Sequence, residues 1–124
     1  MDESGGFADP EAQNLIALDS ARQSAMPVMF ARSELMAILS LYSRMVAAGE
    51  WKDYAIDSLK DCAVFSVFRR ASETPLFRIE KTPRLASKQG AFSVVNANGI
   101  ILKRGHELGP VLRVFDKSLR LVEG

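Results

Sequence analysis

The sequence predicts an α+β domain: an antiparallel meander sheet of about five strands packed against a long N-terminal helix and a shorter C-terminal helix. Three observations carry the prediction. Short apolar runs separated by turn residues follow one another from Asp53 to Arg104, which is the pattern of strands joined by hairpins. From about Arg32 to Ala48 apolar residues recur at spacings of three and four, the signature of an amphipathic helix. Beyond Gly105, the residues Leu108, Val111, Leu112 and Phe115 repeat that spacing.

The chain has 124 residues, 48% of them hydrophobic and 25% charged. These are ordinary globular values, and the length suffices to bury one core without metals or disulfides. The net charge of +1 hides an asymmetry. Through Pro27, Asp2, Glu3, Asp9, Glu11 and Asp19 face Arg22 alone, whereas the remainder holds fifteen basic and ten acidic residues. Residues 1–27 are otherwise small and polar and read as a flexible acidic tail, in which Leu15, Ile16 and Leu18 form the one apolar cluster. Residues 28–124 read as a single domain.

Leu35, Ile38, Leu39, Leu41, Tyr42, Met45 and Val46 form one broad stripe of the first helix, and Gly49 ends it, because glycine tolerates the left-handed conformation after a helix. The opposite face carries Ala37, Ser40, Arg44, Ala47 and Ala48, with little charge for a solvated surface. Strands are expected at about Tyr54–Lys60, Ala63–Arg70, Leu76–Lys81, Phe92–Val95 and Ile100–Lys103. A loop over 71–75 sets Arg70 across from Leu76 and Phe68 across from Arg78. Alternation then puts Phe65, Val67, Phe77 and Ile79 on the core face and Ser66, Phe68, Arg70, Arg78 and Glu80 on the other. Thr82–Gly90 reads as a basic loop, Asn96–Gly99 as a turn, and Leu119–Val122 as a last edge strand.

The phrases "LMAILSLYSRMVAAGEWKDYAIDSL", "AVFSVFRRASETPLFRIEKTP", "QGAFSVV" and "ILKRGHELGPVLRVFDKSLRLVE" resemble an uncharacterised family of short bacterial cytosolic proteins known only as a domain of unknown function. The resemblance implies a bacterial cytosolic protein and carries no activity, ligand or catalytic residue with it.

Several chemistries fail on residue supply. The single cysteine, Cys62, leaves no internal disulfide, and together with the lone His106 it cannot furnish a Cys/His zinc cluster. His106-Glu107 opens like a zinc-protease motif, but Pro110 occupies the place of the second histidine. A Cys62–His106 dyad is disfavoured because Asp61 beside the thiol raises its pKa. Neither a phosphate-binding glycine loop nor a dinucleotide fingerprint occurs. No metal or cofactor is expected. The N-terminus lacks a basic and apolar leader, and no run approaches the roughly 20 apolar residues of a membrane span. The expectation is a cytoplasmic protein with no membrane partner.

What remains is charge. Between positions 69 and 104 eight basic residues face only Glu73 and Glu80. Phe68, Arg69, Arg70, Arg78, Lys81, Arg84 and Lys88 are therefore the candidate surface of a non-enzymatic module binding nucleic acid or another polyanion, with Phe68 as a stacking platform between guanidinium groups. The alternatives are a homodimer formed through the Ala37, Ser40, Arg44 and Ala47 face or a sheet edge, and a small-molecule or enzyme site at Arg104, His106 and Glu107.

Overall fold

The structure is a computed structural model that describes residues 26–70 and 74–116. The tail cluster Leu15–Leu18, the turn residues 71–73 and the expected strand Leu119–Val122 lie outside the described residues. Within them the order is α1 (Arg32–Ala47), β1 (Asp53–Ser58), β2 (Ala63–Phe68), β3 (Phe77–Lys81), β4 (Phe92–Asn96), β5 (Ile101–Gly105) and α2 (Leu108–Leu112). Short 3₁₀ turns lie between β3 and β4 at Pro83–Leu85 and after α2 at Arg113–Phe115. The five strands form one antiparallel sheet in the order β1-β2-β3-β4-β5. The expected α+β meander with a long first helix and a short last one is what the chain adopts.

α1 starts without a side-chain cap, since Ala31 has no acceptor to offer. Glu34 compensates in part: its Oε1 accepts the Ala31 N–H at 2.7 Å, satisfying one of the orphan donors of a helix start. The helix buries Ile38, Leu41 and Met45 against the sheet, with Leu35, Leu39 and Tyr42 partly covered beside them. Val46, counted in the stripe, is 41% exposed. Trp51 is fully buried where the chain turns into β1, and its ring meets Phe115 edge-on at 5.1 Å. Phe115 in turn meets Phe77 at 5.0 Å, so the last helical segment is clamped by aromatic contacts onto the face that α1 covers. Leu108, Val111 and Leu112 complete this core with Phe65, Val67, Ile79, Phe92 and Val94.

Both helices thus lie on one side of the sheet. Its other face carries Val64, Ser66 and Phe68 of β2, Arg78 and Glu80 of β3, Ser93 and Val95 of β4, and Arg104 of β5, with Asp53 and Asp57 of β1 in the same rows.

The hairpin register differs from the expected one. Val67 pairs with Phe77, Ser66 with Arg78, Phe65 with Ile79 and Val64 with Glu80, a shift of two residues, and β2 ends at Phe68 so that Arg70 stands outside the ladder. Face assignments survive a shift of two because side chains alternate with period 2. The partners do not survive it. The observed register sets Phe65 against Ile79 and Val67 against Phe77 on the helix side, apolar on apolar, where the expected one set Phe65 against Lys81.

Candidate functional site

The sheet ends separate the residues of the expected basic surface. Phe68 closes β2 on the helix-free face, half-buried, with Asp53 as its cross-strand partner. Arg78 lies opposite Ser66, not Phe68, and its Nε donates to Glu80 Oε2 at 3.0 Å. A guanidinium pair flanking Phe68 is therefore corrected to a carboxylate on one side and, further along, an arginine already paired. Arg69, at the end of β2, points Nη2 to Glu50 Oε1 at 4.0 Å, and Arg70 follows it in the same exposed bend.

Lys81 belongs to the other face. It sits between Ala63 and Phe92 in the helix-side row, and its Nζ donates to Glu34 Oε1 at 2.8 Å and to the Met29 carbonyl at 3.0 Å. The same carboxylate oxygen caps α1, so Lys81 fastens the helix start and the preceding segment to the sheet. That is an internal tie, and it removes Lys81 from the surface bearing Phe68 and Arg78.

Arg84 and Lys88 are brought to the neighbourhood of Arg104 and His106, two groups far apart in sequence. The connection 82–90 is compact: the Leu85 carbonyl accepts the N–H groups of Lys88, Gln89 and Gly90, and Thr82 N–H donates to Ala91 O. Gly90 has φ +104, and a Cβ there would lie 2.8 Å from Gly105 Cα and closer still to its carbonyl group. The two backbones touch at a point only glycine allows. His106 Nδ1 lies 2.9 Å from the Ala86 carbonyl. A carbonyl only accepts, so the Nδ1 proton is donated and Nε2 faces outward. Arg104 Nη1 donates to the Gly90 carbonyl at 3.3 Å. These two side chains hold the loop from the β5 side, and Arg84 and Lys88 stand exposed on it. Glu107 occupies the cap position of α2 without a side-chain cap bond and is exposed.

Cys62 is half-buried at the start of β2. Burial pushes its thiol pKa up, Glu80 and Asp61 add to the rise, and Arg84 opposes it. A thiol so placed is a poor nucleophile at neutral pH. Among the described residues no three His, Cys, Asp or Glu side chains gather as a metal site, and no helix is long and apolar enough to cross a membrane.

Two further surfaces border the fold. Ala37, Ser40 and Arg44 of α1 line a shallow groove of about 360 Å³ with Gly109, Leu112, Arg113 and Asp116, so this small-residue face stands beside α2. The β5 edge carries Ile100, Ile101 and Leu102, exposed by 57%, 49% and 41%, followed directly by Lys103 and Arg104. Leu102 is an extra residue in the ladder, since Val94 pairs with Lys103 and Val95 with Ile101. Sequence reasoning placed a strand here and offered a sheet edge as a dimer interface, but did not say which edge. The missed signal is topological: among the described residues the last strand of the meander is an edge, and three consecutive large apolar residues there have no described partner strand on their outer side.

No curated protein and no solved structure matches this chain. A family model described as protein of unknown function matches residues 28–112, which takes in α1, the whole sheet and α2 and amounts to more than half of the sequence. The chain belongs to that family, DUF2794.

Proposed function

We propose that this protein is a non-enzymatic interaction module whose working surface runs along the β5 side of the sheet, from the apolar edge Ile100–Leu102 to the basic corner of Arg84, Lys88, Arg104 and His106. One observation carries the reading: the exposed run of Ile100, Ile101 and Leu102 along a strand that is, among the described residues, an edge of the sheet. A partner that adds a strand there satisfies the free backbone groups and covers the apolar side chains. Lys103 and the Leu102 bulge discourage indiscriminate pairing, and the cations beyond them favour a segment that is apolar and then acidic.

The competing edge is less suited to an acidic partner, because β1 presents Asp53 and Asp57. Enzymatic chemistry at Arg104, His106 and Glu107 is the weaker reading, since Arg104 and His106 direct donors to backbone carbonyls of the loop. A second reading, a nucleic acid or other polyanion, is favoured by Arg84 and Lys88 standing exposed on a loop that is fixed in place.

The test compares the chain with an Ile101→Lys, Leu102→Lys variant in affinity capture from a native cell extract, with and without nuclease. A protein captured by the parent chain in both conditions and lost from the variant supports strand addition at β5. Capture that nuclease abolishes points to the polyanion instead. Equal capture by parent and variant removes the edge from the mechanism, and a mass that rises with concentration in the parent alone identifies the partner as a second copy.

A further inference from the structure

Among the described residues, the two outer strands of the sheet carry opposite charge. β1 holds Asp53 and Asp57 and no cation, and all six of its residues are exposed. β5 holds Lys103 and Arg104 and no anion. Each edge also shows apolar side chains to solvent: Tyr54 and Ile56 are 41% and 42% exposed, against 49% and 41% for Ile101 and Leu102. Strand direction matches too. Successive antiparallel pairings leave β1 and β5 running the same way. In both, apolar residues precede the charge, Tyr54 and Ile56 coming before Asp57, and Ile101 and Leu102 before Lys103 and Arg104.

Building on the β5 reading, we infer that the partner at that edge is β1 of a second copy of this chain, added in parallel with the helices of both copies on one side. Face alternation sets the register. Ala55 and Asp57 of β1 share the helix-free face with Ile101 and Arg104 of β5. The bulge at Leu102 makes the β5 pair three residues apart where the β1 pair is two, so Ile101 beside Ala55 brings Arg104 beside Asp57. Lys103 then falls beside Ile56 on the helix side and lays its aliphatic stem along it. Arg104 gives Nη1 to the Gly90 carbonyl, and a guanidinium has further donors for a carboxylate. The backbone of β1 suits the same half of the strand. Leu59 N–H donates to the Cys62 carbonyl, and alternate residues turn their backbone groups to alternate sides, so those of Ile56 and Ser58 point away from β2. Tyr54 N–H is already taken by Asp53 Oδ1 at 2.8 Å. Like edges repel: β5 on β5 sets Lys103 and Arg104 against themselves, and β1 on β1 does so with Asp53 and Asp57. Contact between unlike edges leaves one of each kind open, so assembly continues past the dimer. One strand pair is a small interface, below about 1,200 Å², and the association is correspondingly weak and concentration-dependent.

Sedimentation of the full chain at low salt, from micromolar to millimolar concentration, is compared with Asp57→Lys, with Lys103→Glu, and with an equimolar mixture of the two variants. Circular dichroism and Trp51 fluorescence report that each stays folded. The expected result is a parent mass that climbs beyond two chains, and single variants that need at least several-fold higher concentration to associate. The mixture should form a species of two chains and stop there, because the β5 edge of the Asp57→Lys chain and the β1 edge of the Lys103→Glu chain are both intact. Association that survives Asp57→Lys but not Lys103→Glu means that β5 meets something other than β1 and overturns the proposal, as does a mixture no heavier than its components. A parent chain that stays monomeric at millimolar concentration also overturns it. The β5 reading fails on a different result, equal capture of cellular protein by the parent and the Ile101→Lys, Leu102→Lys variant. Should either charge reversal disturb the fold, Asp57→Asn and Lys103→Gln are judged by the same masses.

Discussion

Substitution of Gly90 by alanine tests the close approach of the Gly90 and Gly105 backbones. Gly90 has φ +104, and its added Cβ would collide with the backbone of Gly105, so the change incurs two separate costs. Holding a side-chain-bearing residue at that φ costs about 1–3 kcal/mol. Forcing the two backbones apart adds about 1–3 kcal/mol of overpacking, for a combined loss of about 2–6 kcal/mol. Gly99 provides the control, since it has φ +83 in the Asn96 turn and nothing within 4 Å of a built Cβ. Gly99→Ala therefore carries only the conformational cost, about 1–2 kcal/mol. Urea denaturation followed by Trp51 fluorescence measures both. At about 4 °C per kcal/mol for a chain of this size, thermal melting should separate the two variants by roughly 10 °C. Equal destabilisation by the two alanines would refute the close approach, and with it the fixed loop that presents Arg84 and Lys88.

Lys81→Met should lower stability by about 1–2 kcal/mol, because it leaves Glu34 without its partly buried partner and the Met29 carbonyl without its donor. Lys88→Met, at an exposed position, should change stability by less than about 0.5 kcal/mol; similar losses in a denaturant titration would reverse the assignment of Lys81 as an internal tie. The thiol of Cys62 is raised first by burial and then by Glu80 and Asp61. A raised folded-state pKa contributes stability that is present below the ordinary thiol range and is lost as pH rises through the folded value. Alkylation of Cys62 should accordingly stay slow at neutral pH and accelerate only above the ordinary thiol range. A pH–rate profile that levels off at or below that range would contradict the burial.

The sequence is most legible where one periodicity answers one question. The α1 stripe apart from Val46, the alternation of Phe65, Val67, Phe77 and Ile79, and the Asn96–Gly99 turn each follow from local geometry, and each appears where expected. The candidate surface was less legible, because it depended on pairs. Alternation in β2 and β3 is unchanged by a shift of two residues, so the same sequence pattern supports Phe68 beside Arg78 and Phe68 beside Asp53. Only the longer connection, closed by the Leu76 N–H to the Val67 carbonyl, selects the second. Lys81 is a similar case: its charge suggested a surface, while its row in β3 sends it toward α1 and Glu34.

By itself the amino-acid sequence determined the two helices and five strands of the described residues, the sheet face that meets the helices, and the shortage of residues for a disulfide or a Cys/His zinc cluster. These depend on residue type and on spacing within one element. The tertiary structure alone decided the hairpin register, the division of the basic residues between the two sheet ends, and the meeting of the 82–90 loop with His106 and Arg104. It also revealed that Val64, Ser66, Ser93 and Val95 are buried on the helix-free face. Those features are set by contacts between segments distant in the chain, where competing arrangements with the same local pattern are separated only by which side chains pack, pair or collide.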